Sequence, residues 1–135
     1  MAAAKPQPQP FAFGLDPHSG VPVYRQLIDQ VLSAIASGAL RPTDRLPTVR
    51  RVAVDLAINP NTVVRAYKEL EIRGVLETQQ GTGTFIAEKK VRPDELARRR
   101  RLEQIVTDTV SRAAAEGFMV GELIEILREM KQERK

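Results

Sequence analysis

The sequence predicts a mainly helical chain with one small β hairpin, an α+β arrangement that ends in two further helices. Three observations predict it. Residues 46–74, LPTVRRVAVDLAINPNTVVRAYKELEIRG, carry two short helical patterns separated by a turn. Residues 75–87, VLETQQGTGTFIA, set β-branched and aromatic side chains on both sides of a glycine-containing link. Beyond residue 93, apolar side chains recur twice at helical spacing, with Gly117 between the two runs.

In chain order, residues 1–14 form an N-terminal arm. Its first ten, MAAAKPQPQP, are rich in Pro and Gln without apolar periodicity and are expected to be disordered. Phe11-Ala12-Phe13 reads as a short strand alongside the hairpin. Residues 15–20, LDPHSG, are turn chemistry. A helix begins near Pro22 and places Tyr24, Leu27, Ile28, Val31, Leu32 and Ile35 on one stripe. Gly38 ends it and Pro42 prevents its resumption. Thr48 caps the next helix, which runs through Arg50, Val52, Ala53 and Leu56 and stops near Ala57. Asn59 caps the helix after that, and Pro60 takes its first turn, where a missing N–H costs nothing. Gly74 is placed to end it.

At about 100° per residue, Val63, Ala66, Tyr67 and Leu70 gather on one side of this last helix and predict its core face. Asn61, Arg65 and Lys68 point the opposite way, with Thr62 on the flank. An amide, a guanidinium and an ammonium displayed from the first turn onward suit base edges and phosphates. An ordinary solvated face is the alternative, and the hairpin that follows decides against it. A hairpin directly after a helix-turn-helix is a wing. Its tip, Gln80-Gly81-Thr82, has little side chain, so its backbone can approach a sugar-phosphate edge. The Gly-x-Gly there lacks the βαβ surroundings of a dinucleotide site. Between Arg41 and Arg73 stand seven basic and four acidic residues, a surplus of three within a chain whose formal charge is +4. Most of the excess therefore lies in the segment expected to face a polyanionic partner.

The run from Tyr24 to Phe85 resembles the DNA-binding domain of the GntR family of bacterial transcription regulators. The resemblance rests on Tyr24-Arg25-Gln26-Leu27, Gly38-Ala39-Leu40-Arg41-Pro42, Leu46-Pro47-Thr48-Val49-Arg50, Asn59-Pro60-Asn61-Thr62-Val63, Ala66-Tyr67 with Leu70, and Gly81-Thr82-Gly83-Thr84-Phe85. Asn-Pro-Asn-Thr-Val and the short tail are similar to the YtrA-type branch. The family often has Gly after the proline of the turn at residues 40–46, where this chain has Thr43-Asp44. The resemblance implies double-stranded DNA as partner. Asn61 and Arg65 are then the expected base contacts, and Thr62 and Lys68 the phosphate contacts. Arg50 is favoured over Arg51 for the backbone; Asn59 belongs to the same face, and Gln80, Gly81 and Thr82 form the wing contact.

Residues 15–90 are thus expected to be a winged helix-turn-helix DNA-binding domain, and residues 91–135 a helical dimerisation segment. Lys89-Lys90-Val91-Arg92-Pro93 reads as a polar hinge, with Pro93 starting a helix that has Asp94 and Glu95 in its first turn. Arg98 to Arg101 offer either extra backbone contact or a solvated surface. Leu102, Ile105, Val106, Thr109, Val110 and Ala113 continue the stripe to about Ala115. Phe118, Val120, Leu123, Ile124, Ile126, Leu127 and Met130 make a second one. Two such helices cannot dry both apolar faces alone, so packing on a second copy is expected; the chain's own winged helix is the alternative cover.

Composition narrows the function classes. With no Cys, disulfides, thiolate catalysis and cysteine-ligated zinc are excluded. His18 is the sole histidine and lies in a turn, so no nucleophile–His–acid set or metal cluster can be assembled around it. No stretch is long and apolar enough for a membrane helix. No enzyme activity, cofactor or metal is expected. The expected function is sequence-specific transcription regulation, by repression, from a homodimer on a palindromic operator in the bacterial cytoplasm, at the nucleoid when bound. A protein-interaction adaptor is the rival reading. About forty residues after the wing hardly enclose a pocket, so any unidentified small-molecule effector would sit at the dimer interface or beside the tail.

Overall fold

A computed structural model describes residues 11–88 and 94–132. The predicted arm at residues 1–10 and the hinge with its helix-starting Pro93 lie outside them. The described elements run α1 (Val23–Ser37), α2 (Val49–Leu56), α3 (Pro60–Ile72), β1 (Leu76–Gln79), β2 (Gly83–Ile86), α4 (Glu95–Ala115) and α5 (Val120–Gln132). The chain divides into a unit reaching Glu88 and a second unit from Lys89 onward.

In the first unit, α3 packs on α1, α2 and β1. Leu27, Ile28 and Val31 of α1 meet Val63 and Leu70 of α3 with Leu46 from the intervening loop, all at 2 % exposure or less. Leu76 and Ile86 bring the hairpin into the same cluster. This apolar burial orients α3, since its stripe can be dried in only one rotational setting. The termini are fixed as the sequence predicts. Thr48 accepts from the Arg51 N–H, and Asn59 accepts from the Asn61 N–H. A further bond crosses the motif: the Tyr67 hydroxyl donates to the Pro47 carbonyl at 2.6 Å.

β1 and β2 pair antiparallel with Leu76 opposite Ile86 and Gln79 opposite Gly83. The loop ahead of α2 adds a third edge to the hairpin. The Leu46 N–H donates to Thr84, the Thr43 N–H to Ile86, and the Ile86 N–H to Asp44, all within 2.9 Å. Arg45 is thereby bridged antiparallel to Phe85. This loop requires Thr43 to hold φ +71°, the left-handed region that the β-branched side chain disfavours.

The expectation of a strand at Phe11-Ala12-Phe13 is not met: residues 11–16 have no strand structure. Phe11 and Phe13 instead pack edge-to-face at 4.8 Å, and the Phe13 ring lies 6.3 Å from that of Tyr67. The backbone here is held by side chains. Gln30 bonds both the N–H and carbonyl of Gly14, and Gln26 takes the N–H and carbonyl of Asp16. With the backbone at residues 14 and 16 held by α1, the segment is fixed against that helix rather than beside the hairpin.

In the second unit, α4 is capped by Asp94, whose carboxylate accepts from Leu96 and Ala97. Asp94 is thus the cap and not a first-turn residue. The chain turns at Glu116-Gly117, and Glu122 accepts the Met119 N–H at 2.7 Å ahead of α5. No residue of α4 is buried.

Candidate nucleic-acid interface

The outward face of α3 follows from its buried one. With Val63, Ala66, Tyr67 and Leu70 turned inward, Asn61, Arg65 and Lys68 are exposed and Thr62 is half-buried on the flank. Val64 joins this face at 45 % exposure. The sequence pattern did not single it out. A branched aliphatic side chain between amide and ammonium groups suits a thymine methyl.

Arg65 is not a free rotor. Its guanidinium carbon lies 3.7 Å from the centroid of the Tyr24 ring on α1. The ring covers a face of the guanidinium and leaves the in-plane N–H donors unobstructed. Such stacking lowers the rotamer entropy lost when those donors bind. Asn59 is positioned differently: its carboxamide oxygen caps α3, which leaves its NH₂ outward.

On α2 the two arginines part company. Arg51 is bonded to Asp55 one turn on, at 3.1 Å. Both arginines are exposed, and Arg50 is the one without an ion-pair partner among the described residues.

The wing tip is an exposed turn over Gln79–Thr82, closed by the Thr82 N–H on the Gln79 carbonyl at 3.0 Å. Gly81 at φ +78° permits that reversal. Gln80, Gly81 and Thr82 are all exposed and uncharged. A cation reaches the tip from elsewhere. Arg45 extends along the sheet until its Nε lies 2.9 Å from where a Cβ of Gly83 would stand. Sequence pattern could not reveal this, because Arg45 and Gly83 are joined only by the loop-to-hairpin pairing.

Of the Arg98–Arg101 run, Arg99 is paired with Glu103 on its own helix at 3.0 Å and all four are exposed. Among the described residues, no cluster of acidic or His side chains could hold a metal, and no helix is long and apolar enough to cross a membrane.

Comparison with known proteins agrees with this geometry. The model of the family described as bacterial regulatory proteins, gntR family, matches residues 23–86. The uncharacterized HTH-type transcriptional regulator YhcF of Bacillus subtilis is 41% identical over 101 residues, which cover 75% of each chain. The HTH-type transcriptional repressor YtrA of the same organism is 47% identical over 74 residues, 55% of this chain and 57% of that one. The match thus spans little more than half of the repressor's length. Among solved structures, YtrA from Sulfolobus acidocaldarius, a GntR-family transcription factor, superposes with TM-score 0.55 at 30% identity. It covers 75% of this chain and 99% of that one.

Proposed function

The chain belongs to the GntR family of DNA-binding transcription regulators, and from that premise we propose that it is a repressor binding a palindromic operator as a homodimer. The observation that carries the DNA-reading half is the α3 surface: Asn61, Val64, Arg65 and Lys68 stand outward because Val63, Ala66, Tyr67 and Leu70 are locked inward. On this reading α3 enters the major groove, with Asn61 and Arg65 on base edges, Val64 against a thymine methyl, and Thr62 and Lys68 on phosphates. Asn59 lends its NH₂ at the helix start. Arg50 grips the backbone from α2. Gln80, Gly81 and Thr82 carry the wing to the adjoining edge of the duplex.

The dimer half is supported by the second unit. Leu102, Ile105 and Val106 on α4, and Ile124, Ile126 and Leu127 on α5, are each at least 40 % exposed. So much apolar surface calls for a partner, and a second copy of residues 91–135 supplies one of matching chemistry. Two α3 helices related by that dyad would read inverted half-sites, which is why the operator is expected to be palindromic. Repression is the activity stated in the name of the Bacillus YtrA relative. A protein of this kind acts in the cytoplasm, at the nucleoid when bound.

The test is selection of bound fragments from genomic DNA, followed by titration of the recovered site against scrambled DNA of equal length. An inverted repeat bound at least about a hundredfold more tightly than the scramble is expected. Equal binding of both sinks the sequence-specific reading.

A further inference from the structure

The wing tip, Gln80-Gly81-Thr82-Gly83, has no charge of its own, yet a guanidinium lies against its root. Residues 83 and 85 of β2 share one face of the hairpin by the two-residue period of a strand. Arg45 is bridged to Phe85 and starts on that face. From there its side chain runs toward the tip, with Nε, Nη2 and Cζ at 2.9, 3.2 and 3.3 Å from the Cβ position of Gly83. Gly83 holds φ +139°, which favours glycine on backbone grounds alone, and the flexible end of Arg45 takes the space beside it. Glu77, which is paired with Phe85 from the other strand, lies across it, and no ion pair joins Glu77 to Arg45. Arg45 is exposed.

We propose that Arg45 is the cation through which the wing engages DNA, its guanidinium lying along the hairpin beside Gly83. Its target is the negative potential at the edge of the duplex beside the half-site. Flanking phosphates and a narrow A·T minor groove both supply that potential.

The proposal rests on the DNA-binding reading, and the experiment separates the two. Affinity of the full chain for its selected site is measured across a salt series for the parent, Arg45→Ala and Arg45→Lys. Melting curves verify that each variant is folded at the assay temperature. Arg45→Ala should weaken binding by roughly tenfold or more and flatten log K against log salt by about 1.8, the share of one phosphate from each of the two copies on the palindrome. Arg45→Lys should restore most of the slope. Exchanging flanking A·T for G·C pairs identifies the source: a smaller Arg45→Ala penalty on the G·C flank marks the groove, an equal one the phosphates. A parent that ignores DNA overturns the DNA-binding reading. A parent that binds, with slope and affinity unchanged in Arg45→Ala, overturns this inference alone.

Discussion

Two side chains on opposite faces of α3 set its chemistry. Tyr67 holds the helix to the loop before α2 through its hydroxyl bond to the Pro47 carbonyl. Tyr67→Phe should cost about 1 kcal/mol of stability, the net worth of one such bond, read by urea unfolding. Burial also pushes the Tyr67 phenol above its usual value of 10.0, because the ionised form is poorly solvated there. Below pH 10 the phenol is protonated in both states. As pH rises past that, the unfolded chain ionises first while the folded one keeps its proton, so stability falls. The fall should be shallower in Tyr67→Phe than in the parent; parallel curves would remove Tyr67 as its source. On the outward face, Arg65→Ala should weaken the selected operator by ~1–3 kcal/mol while sparing random duplex. Equal losses on both would show that Arg65 does not read sequence.

At the level of elements, what was legible in the sequence was whatever depends on near neighbours. Helix α3 could be read from its stripe, its Asn59 cap and Pro60, and the wing from β-branched residues flanking two glycines. The failures all involve groups distant in sequence. Phe11-Ala12-Phe13 has the alternation of a strand, but Gln26 and Gln30 occupy the backbone at residues 14 and 16. Arg45 reaches the wing only after the chain has folded over three further elements. The loop at residues 43–46 shows a different kind of legibility. A family resemblance led us to expect glycine where Thr43 stands, and Thr43 is held at φ +71° because its N–H must meet the Ile86 carbonyl. Thr43→Gly should therefore stabilise the first unit by about 0.5–1 kcal/mol, the relief of left-handed strain less the extra entropy of an unfolded glycine. Thermal unfolding measures it. An unchanged or lowered midpoint would mean that the threonine side chain contributes more than its strain removes.

For the whole molecule the question is how a small DNA-binding unit gains enough affinity. One recognition helix, one wing and a few arginines make a modest interface, and two copies fixed on one dyad raise the effective concentration of the second half-site once the first is bound. The second unit has the surface for that pairing and little else to bury it. Ile105 and Leu127, 46 % and 62 % exposed, sit on stripes with no cover among the described residues. Replacing both by Asp places charge on the apolar surface proposed to meet its copy, where desolvation without a partner costs several kcal/mol. Because neither residue belongs to the core cluster of the first unit, that unit should melt as before. Sedimentation equilibrium should then find monomers where the parent forms dimers. Binding to the palindrome should become non-cooperative and fall toward the affinity of an isolated half-site, while the half-site affinity itself stays constant. If the double variant still sediments as a dimer, the pairing lies elsewhere on the chain. If it is monomeric and yet binds the palindrome with parental affinity, the dyad plays no part in operator recognition.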